Sequence, residues 1–310
     1  MTLASPARTA GRRGLGARAR DEAAAAVFVG PNVVLYTVFV AVPALAGLAL
    51  SFFEWDLIDA PAFVGFDNFS KMFVDPNVVP SLLVTVEFLV LGVIPTIIVG
   101  FLLAVLVNAR MRGVGVVRVL YFIPLVVSAA VSSVLWGWLY QPQSGMLNSI
   151  IGVFGADPVP WLSRTAWALP ALTIMIIWMS LPLVIILYLA ALQRISDDLL
   201  DAARLDGAGP WTRARHILWP AVSHTTVLVV ALEILNFIAL PFEISLIMTQ
   251  GGPLNSTMTL SLYSYRVAFE QGEVGYAAAL SILQLLVIVI VALLARYIRR
   301  VIDRRGRNKA

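Results

Sequence analysis

Two glutamates, an asparagine and a phenylalanine sit at helical spacing inside an otherwise apolar run: Glu233, Asn236, Phe237 and Glu243. At 100° per residue, Glu233, Asn236, Leu240 and Glu243 fall within about 80° of one another, and Phe237 flanks them. One helix face thus carries two carboxylates, an amide and an aromatic ring, interrupted by an expected kink at Pro241. Carboxylate and amide accept from and donate to hydroxyl groups, and the ring offers a stacking face. This is the chemistry of holding a polar solute. A structural hydrogen-bond network at a contact with another membrane subunit is the competing reading. Lipid exposure of such charges is costly, so the face is expected to look into a helix bundle or a water-filled path. Glu87 reads as a satisfied group near the outer interface. Ser128, Ser132, Ser133 and Trp136 are candidates for lining the path, although serines are also common where helices pack closely.

A second constellation lies between two apolar runs, from Ser196 to Pro220. Ser196 is an N-cap residue, with Asp197 and Asp198 in the first turn where acidic groups favour the helix dipole. Leu199, Leu200, Ala203 and Leu205 supply apolar positions, and Gly207 is placed to take the left-handed conformation that ends a helix. Gly209-Pro210 then turns the chain into a second helix, which Pro220 is expected to end. The product is a helix–turn–helix with a small-residue corner at Ala208 and Gly209. Such a corner admits close approach of another surface, and Asp201, Arg204, Asp206, Arg213 and Arg215 offer charges to pair with it. A solvated connector with ordinary caps is the alternative.

Catalytic constellations are missing from the sequence. Neither lysine, Lys71 or Lys309, lies in a phosphate-binding G-x-x-x-x-G-K-[ST] loop, and there is no G-x-S-x-G elbow or H-E-x-x-H pair. His216 and His224 are read as facing a docking partner or lipid headgroups rather than a metal. The absence of cysteine excludes disulfides and thiolate metal sites. No enzyme is expected, and any nucleotide-driven work must come from a partner.

These residues must be positioned by membrane helices. Sixty per cent of the 310 residues are hydrophobic and 13% are charged. Six stretches are long enough to cross a bilayer: 27–52, 81–107, 119–140, 167–192, 222–248 and 276–298. Pro43, Pro95, Pro124, Pro182 and Pro241 fall inside them, which membrane helices tolerate when neighbours satisfy the freed carbonyls. With both termini inside, 19 of the 22 basic residues are cytoplasmic; only Lys71, Arg164 and Arg266 are not. That bias sets the orientation, and with it the net charge of +4, without implying nucleic-acid binding.

Residues 1–26 read as a cytoplasmic tail, 27–298 as the six-helix membrane domain with a cytoplasmic loop at 193–221, and 299–310 as a basic cytoplasmic tail. A cleaved signal peptide ending at Ala44-Leu45-Ala46 is rejected, because the apolar run is too long and cleavage would upset the charge pattern. Segment 53–80 is external, acidic and aromatic, and its Trp and Phe residues suit the headgroup level. Within the external loop 141–166, Met146–Phe154 is expected to form a short helix on the bilayer, and Gln250-Gly251-Gly252-Pro253 is expected to turn outside. No internal repeat is visible, so any repeat-based symmetry must come from a second chain.

The pattern Asp201-Ala202-Ala203-x-x-Asp206-Gly207-Ala208, followed by Trp211, Ile217 and Pro220, resembles the "EAA" loop of binding-protein-dependent ABC importer permeases. Phe63-Val64-Gly65-Phe66-Asp67-Asn68-Phe69, Pro182 with Ala190, Ala191 and Leu192, and Thr249-Gln250-Gly251-Gly252-Pro253 are similar to the carbohydrate branch. Asp201 stands where the family has Glu, Ala214 where it has Phe, and Trp219 where it has Leu. Asp shortens the carboxylate reach by one methylene, and Ala214 removes an apolar anchor. The resemblance spans residues 27 to about 298. It implies an all-α, type I importer fold in the bacterial-type cytoplasmic (inner) membrane. Asp201, Ala202, Ala203, Asp206, Gly207 and Ala208 would form the coupling helix. The implied partners are a second homologous permease, two ATPase subunits or domains that hold ATP and Mg, and an extracytoplasmic substrate-binding protein. No cofactor is expected on this chain. The implied cargo is a sugar, oligosaccharide or glycerol-phosphate compound, and two carboxylates on the proposed wall disfavour strongly anionic solutes. Amino-acid, peptide or osmolyte cargo is the alternative within the class. A channel or scaffold without ATP coupling is the remote one.

Overall fold

A computed structural model describes residues 15–108 and 121–307 of the chain. Arg8, Arg12, Arg13, Arg110, Arg112, Arg118 and Lys309, all used for the expected orientation, lie outside the described residues, as does most of the short loop after the second span.

The chain begins with α1 (Leu15–Tyr36), a π turn (Thr37–Ala41) and α2 (Val42–Leu50), which follow one another without a gap. Helix therefore reaches into the segment expected to be a tail. The π turn lies just ahead of Pro43, and a second one, Ala214–Leu218, lies just ahead of Pro220. Proline has no N–H to donate and its ring crowds the carbonyl four residues back; a widened turn at that carbonyl accommodates both. Pro95, Pro170, Pro182 and Pro241 lie inside α-helices instead, and α-helix continues on both sides of Pro241.

Outside the first rod, β1 (Phe53–Glu54) pairs antiparallel with β2 (Ala62–Phe63), a two-residue ladder that the all-α reading omitted. Then come α3 (Asp67–Val74), α4 (Val78–Asn108), α5 (described over 121–126), α6 (Ala129–Leu139) and α7 (Met146–Val153). The remaining elements are α8 (Thr165–Leu192), α9 (Asp197–Leu205), α10 (Pro210–Arg213), α11 (Trp219–Ala221), α12 (Ser223–Met248), α13 (Leu260–Phe269) and α14 (Val274–Arg307). Thus α14 continues through most of the stretch read as a C-terminal tail.

Among the described residues, five helical stretches are long and apolar enough to cross a membrane: Ala26–Leu50, Val78–Asn108, Thr165–Leu192, Ser223–Met248 and Val274–Leu294. The expected third span is divided. Between α5 and α6 the chain leaves the helix at Val127 and Ser128, where Ser128 is extended and its Oγ accepts from Val131 N at 3.4 Å. A serine offers a backbone N–H this local alternative to the helix ladder, so a sufficiently apolar stretch is still cut in two.

The core lies where α4, α8 and α12 meet, with α6 against α12. A Cβ on Gly100 would lie 2.4 Å from Val184 Cγ1, so α4 and α8 touch there almost backbone to side chain. Phe88, Phe101, Met175, Ile176, Tyr188 and Phe237 fill the space around the contact. In lipid such close packing, rather than exclusion of water, holds helices together.

A smaller core joins the N-terminal end of α4 to α13 and α14. Asp75 Oδ2 accepts from Tyr263 Oη at 2.5 Å and Tyr276 Oη at 2.6 Å, while its Oδ1 accepts from Asn77 N at 2.9 Å. Burial alone would raise the Asp75 pKa, but these hydrogen bonds outweigh it and hold the carboxyl below the usual range. Burial and the Asp75 carboxylate push Tyr263 up to about 12. Beside them Lys71 pairs with Glu273, and its Nζ sits 4.5 Å from the centre of the Tyr276 ring.

Candidate functional site

The loop between α8 and α12 folds as its residues require. Ser196 Oγ accepts from Leu199 N at 3.3 Å and starts α9. At the other end Gly207 adopts φ +78°, with Gly207 N donating to Arg204 O at 3.0 Å and Ala208 N to Ala203 O at 2.9 Å. Those two crossed bonds are the Schellman closure of a helix. Gly209 is extended, and Pro210 opens α10 as its first residue. The second helix does not end at Pro220: it passes through the π turn and α11, and the break comes at Val222.

Burial divides the loop into two faces. Leu200 and Ala203 turn inward, whereas Asp201, Ala202, Asp206, Gly207 and Gly209 are exposed, as are Leu199, Leu205 and Trp211. Ala208 is half-buried at the corner. The outward face therefore offers an apolar tip, small residues and two carboxylates. Asp201 Oδ1 meets Arg204 Nη1 at 2.5 Å, an exposed i,i+3 pair of the kind that contributes under about 1 kcal/mol and exchanges readily for another partner. Ala214 faces inward and is buried, so the missing phenylalanine would have added internal packing rather than a docking contact.

The inner face is tied to the bundle through rings. Trp219 meets Phe101 edge-on at 4.9 Å, Phe101 meets Tyr188 edge-on at 5.6 Å, and Tyr188 Oη donates to Thr226 Oγ1 at 3.2 Å. The loop, α4, α8 and α12 are thus joined at one point, through a tryptophan in place of the family's leucine. His216 Nδ1 lies 3.2 Å from Thr212 O, and both His216 and His224 are exposed.

The membrane constellation is only partly assembled as expected. Asn236 Nδ2 donates to Ser180 Oγ at 2.7 Å, and Glu233 Oε2 lies 3.4 Å from the same nitrogen. Glu233 is buried and Asn236 half-buried. The network bridges α12 to α8 within the chain, so it needs no second subunit to satisfy it. Phe237 is fully buried with its ring over Gly92 and has no open face on which a ligand ring could stack. Glu243 is half-buried and stands apart from the Glu233 cluster; Glu87 is exposed in the N-terminal part of α4. Ser180 was not recognisable from sequence, because it lies 56 residues from Asn236 on another helix. Of the small hydroxyls in α6, Ser132 and Ser133 are buried rather than open to a path.

Comparison with known proteins decides the class. Residues 33–305 match the family described as binding-protein-dependent transport system inner membrane component. The chain belongs to that family. It is accordingly a multi-pass inner-membrane transport component, a permease and not an enzyme. The permease is 32% identical over 257 residues to a probable ABC transporter permease protein, y4oQ, of Sinorhizobium fredii, covering 82% of each chain. It is 31% identical over 261 residues to the trehalose/maltose transport system permease protein MalF of Thermococcus litoralis, covering 84% of this chain and 88% of that one. In fold, the permease matches a chain of a bacterial alginate ABC transporter solved with an alginate pentasaccharide-bound periplasmic protein. The TM-score is 0.80 at 22% identity, over 93% of this chain and 98% of that one.

Proposed function

We propose that the chain is one permease subunit of an ATP-driven importer that takes up a sugar, oligosaccharide or glycerol-phosphate compound delivered by an extracytoplasmic binding protein. The observation that carries this is the α9–α10 corner. Its small and acidic residues face outward, while its base is tied by Trp219 to the three helices of the core. A surface exposed on one side and mechanically connected on the other suits a coupling element. Asp201, Ala202, Ala203, Asp206, Gly207 and Ala208 form that element; Ala203 acts from within as the carbonyl that closes the helix end. With no phosphate-binding loop in the sequence, ATP and Mg belong to a partner ATPase seated on the corner. A second homologous permease completes the path, and six crossings with both termini inside require α5 and α6 to cross as a broken pair.

Carbohydrate cargo is supported by the trehalose/maltose relative and the alginate transporter of the same fold. Asn236 and Glu243, polar and half-buried, are the α12 residues assigned here to the path. Glu233 stands behind Asn236 and fixes its amide, and Phe237 holds α12 against α4. The permease reconstituted in liposomes with its second permease, ATPase and binding protein tests both parts. Nucleotide-dependent oligosaccharide uptake that fails in Asp206→Ala while insertion is normal supports the reading. Uptake indifferent to that substitution removes the coupling role, and ATP hydrolysis that no carbohydrate stimulates removes the cargo.

A further inference from the structure

The two short outer helices, α3 and α7, repeat one arrangement at unrelated places in the chain. At α3 the residues are its N-cap Phe66 with Asn68, Phe73 and Val74; at α7 they are Met146, Asn148 and Val153 with its C-cap Phe154. Both follow the spacing i, i+2, i+7, i+8. On a helix the first, third and fourth positions fall within about 100° of one another, and the asparagine points the opposite way.

The asparagine anchors each helix to the protein. Asn68, 8% exposed, donates from Nδ2 to Ser51 O and Phe53 O, both at 2.9 Å. Asn148, 6% exposed, donates to Pro142 O at 3.1 Å and Val159 O at 2.9 Å; its Oδ1 accepts from Val159 N at 3.1 Å and Trp161 Nε1 at 3.0 Å. An amide donating twice on the inner face, and in Asn148 accepting twice as well, fixes which way each helix turns. Apart from the exposed Ser70 in the middle of the α3 stripe, what it turns outward is apolar: Phe66, Phe73 and Val74 are 70%, 91% and 80% exposed, and Met146, Val153 and Phe154 are 56%, 83% and 84% exposed. Of the charged residues of α3, Lys71 is directed to Glu273, and Asp67 lies exposed at the edge of the stripe in the first turn. Residues 146–156 carry no charge at all.

We infer that both stripes insert into the headgroup boundary of the outer leaflet, so that lipid is their partner. This rests on membrane insertion and not on the cargo or on ATP coupling. Three observations favour lipid over a soluble protein. First, α3 ends four residues before α4 begins and α7 starts six residues after Tyr140, so short connectors keep both helices near the ends of membrane helices. Second, the outward face of α3 is followed on α4 by the exposed apolar residues Val79 and Leu83. Third, large uncharged rings beside a polar anchor suit an interfacial helix, whose apolar face enters the acyl boundary.

Because the chain has no cysteine, Phe73→Cys and Phe154→Cys each introduce a single labelling site. Each is labelled with bimane in the assembled transporter, in phosphatidylcholine–phosphatidylglycerol vesicles. Quenching by a phosphatidylcholine carrying a nitroxide near its headgroup is compared with quenching by iodide. Lipid quenching several-fold stronger than iodide quenching at both positions is expected, with the reverse at the water-facing control Asp59→Cys. Iodide quenching equal to that control would overturn the inference. Protection from both quenchers would overturn it equally, by showing that protein covers the stripes. Val74→Cys and Val153→Cys give the same readout should the first pair label poorly.

Discussion

Gly92 and Phe237 leave no room between them: a Cβ on Gly92 would fall 1.9 Å from Phe237 Cε1. Phe237 is wholly buried, so its ring can yield only by displacing α12 from α4. Gly92→Ala should therefore cost roughly 1–3 kcal/mol through overpacking. The check is thermal unfolding in detergent. Restoration by a second change, Phe237→Leu, is expected; an unchanged midpoint for Gly92→Ala alone would contradict the contact.

Asn236→Ala removes the donor shared by Ser180 and Glu233 and is expected to cost about 1–3 kcal/mol in stability, because a buried acceptor loses its partner. Glu233→Gln, nearly the same shape, should preserve more. If Asn236 also meets cargo, its replacement raises the substrate concentration for half-maximal uptake beyond any fall in protein level. Equal half-maximal concentrations across wild type and both variants would confine the cluster to a structural role.

At Gly207 nothing lies within 4 Å of an added Cβ, so substitution is resisted only by φ +78°. Gly207→Asn should retain most ATPase-coupled uptake and Gly207→Ala should lose about 1–2 kcal/mol of loop stability. Gly207→Pro, which removes the N–H bonded to Arg204 O and cannot reach that φ, should abolish coupling. ATPase co-purification and ATP-dependent uptake read this order directly; an alanine variant worse than the proline one would refute it.

Phe101→Leu keeps an apolar side chain but loses both edge-on ring contacts, to Trp219 and to Tyr188. Its expected signature is selective. ATPase binding persists because the outward face is intact, whereas transport per ATP hydrolysed falls several-fold. Parallel loss of both would mean the rings serve folding alone.

Asp75 and Tyr263 give the N-terminal end of α4 a pH signature at both extremes. The Asp75 pKa is lower folded than unfolded, so its stabilisation is present above about 4 and is lost as pH falls through the folded value. Tyr263 is raised from 10.0 to about 12, so its contribution is present below 10 and disappears as pH climbs between the two. Unfolding midpoints measured against pH should show both losses, and Asp75→Asn should flatten the acid limb. An acid limb unchanged in that variant would dissociate Asp75 from it.

Much of this was legible because the cues were local. Ser196, Gly207 and Gly209-Pro210 specify the α9–α10 corner through caps and turns that act within a few residues, and the structure places each as its chemistry demands. Apolar runs mark the long helices for a similar reason, since the bilayer sets their length. Contacts between helices were not legible. The Asn236–Ser180 bond, the Gly92 notch for Phe237 and the inward turn of Ala214 depend on how α4, α8 and α12 rotate against one another, which hydropathy does not encode in segments apolar on every side. Division of the third span turned on one serine whose local hydrogen bond competes with the helix ladder.

The aspartate–tyrosine knot at the N-terminal end of α4 has a mechanical consequence. By pinning the turn that leads from α3 into α4 to α13 and α14, it makes that end a fulcrum. The 31 residues of α4 extend about 46 Å from it to the helix's far end, at about 1.5 Å each. Rotation of roughly 10° about such a pivot would carry the far end through roughly 8 Å, more than one helical turn, without loosening the knot. A small tilt set by nucleotide at one surface would thus become a displacement large enough to open a passage, with the hydroxyls of Tyr263 and Tyr276 as its bearing.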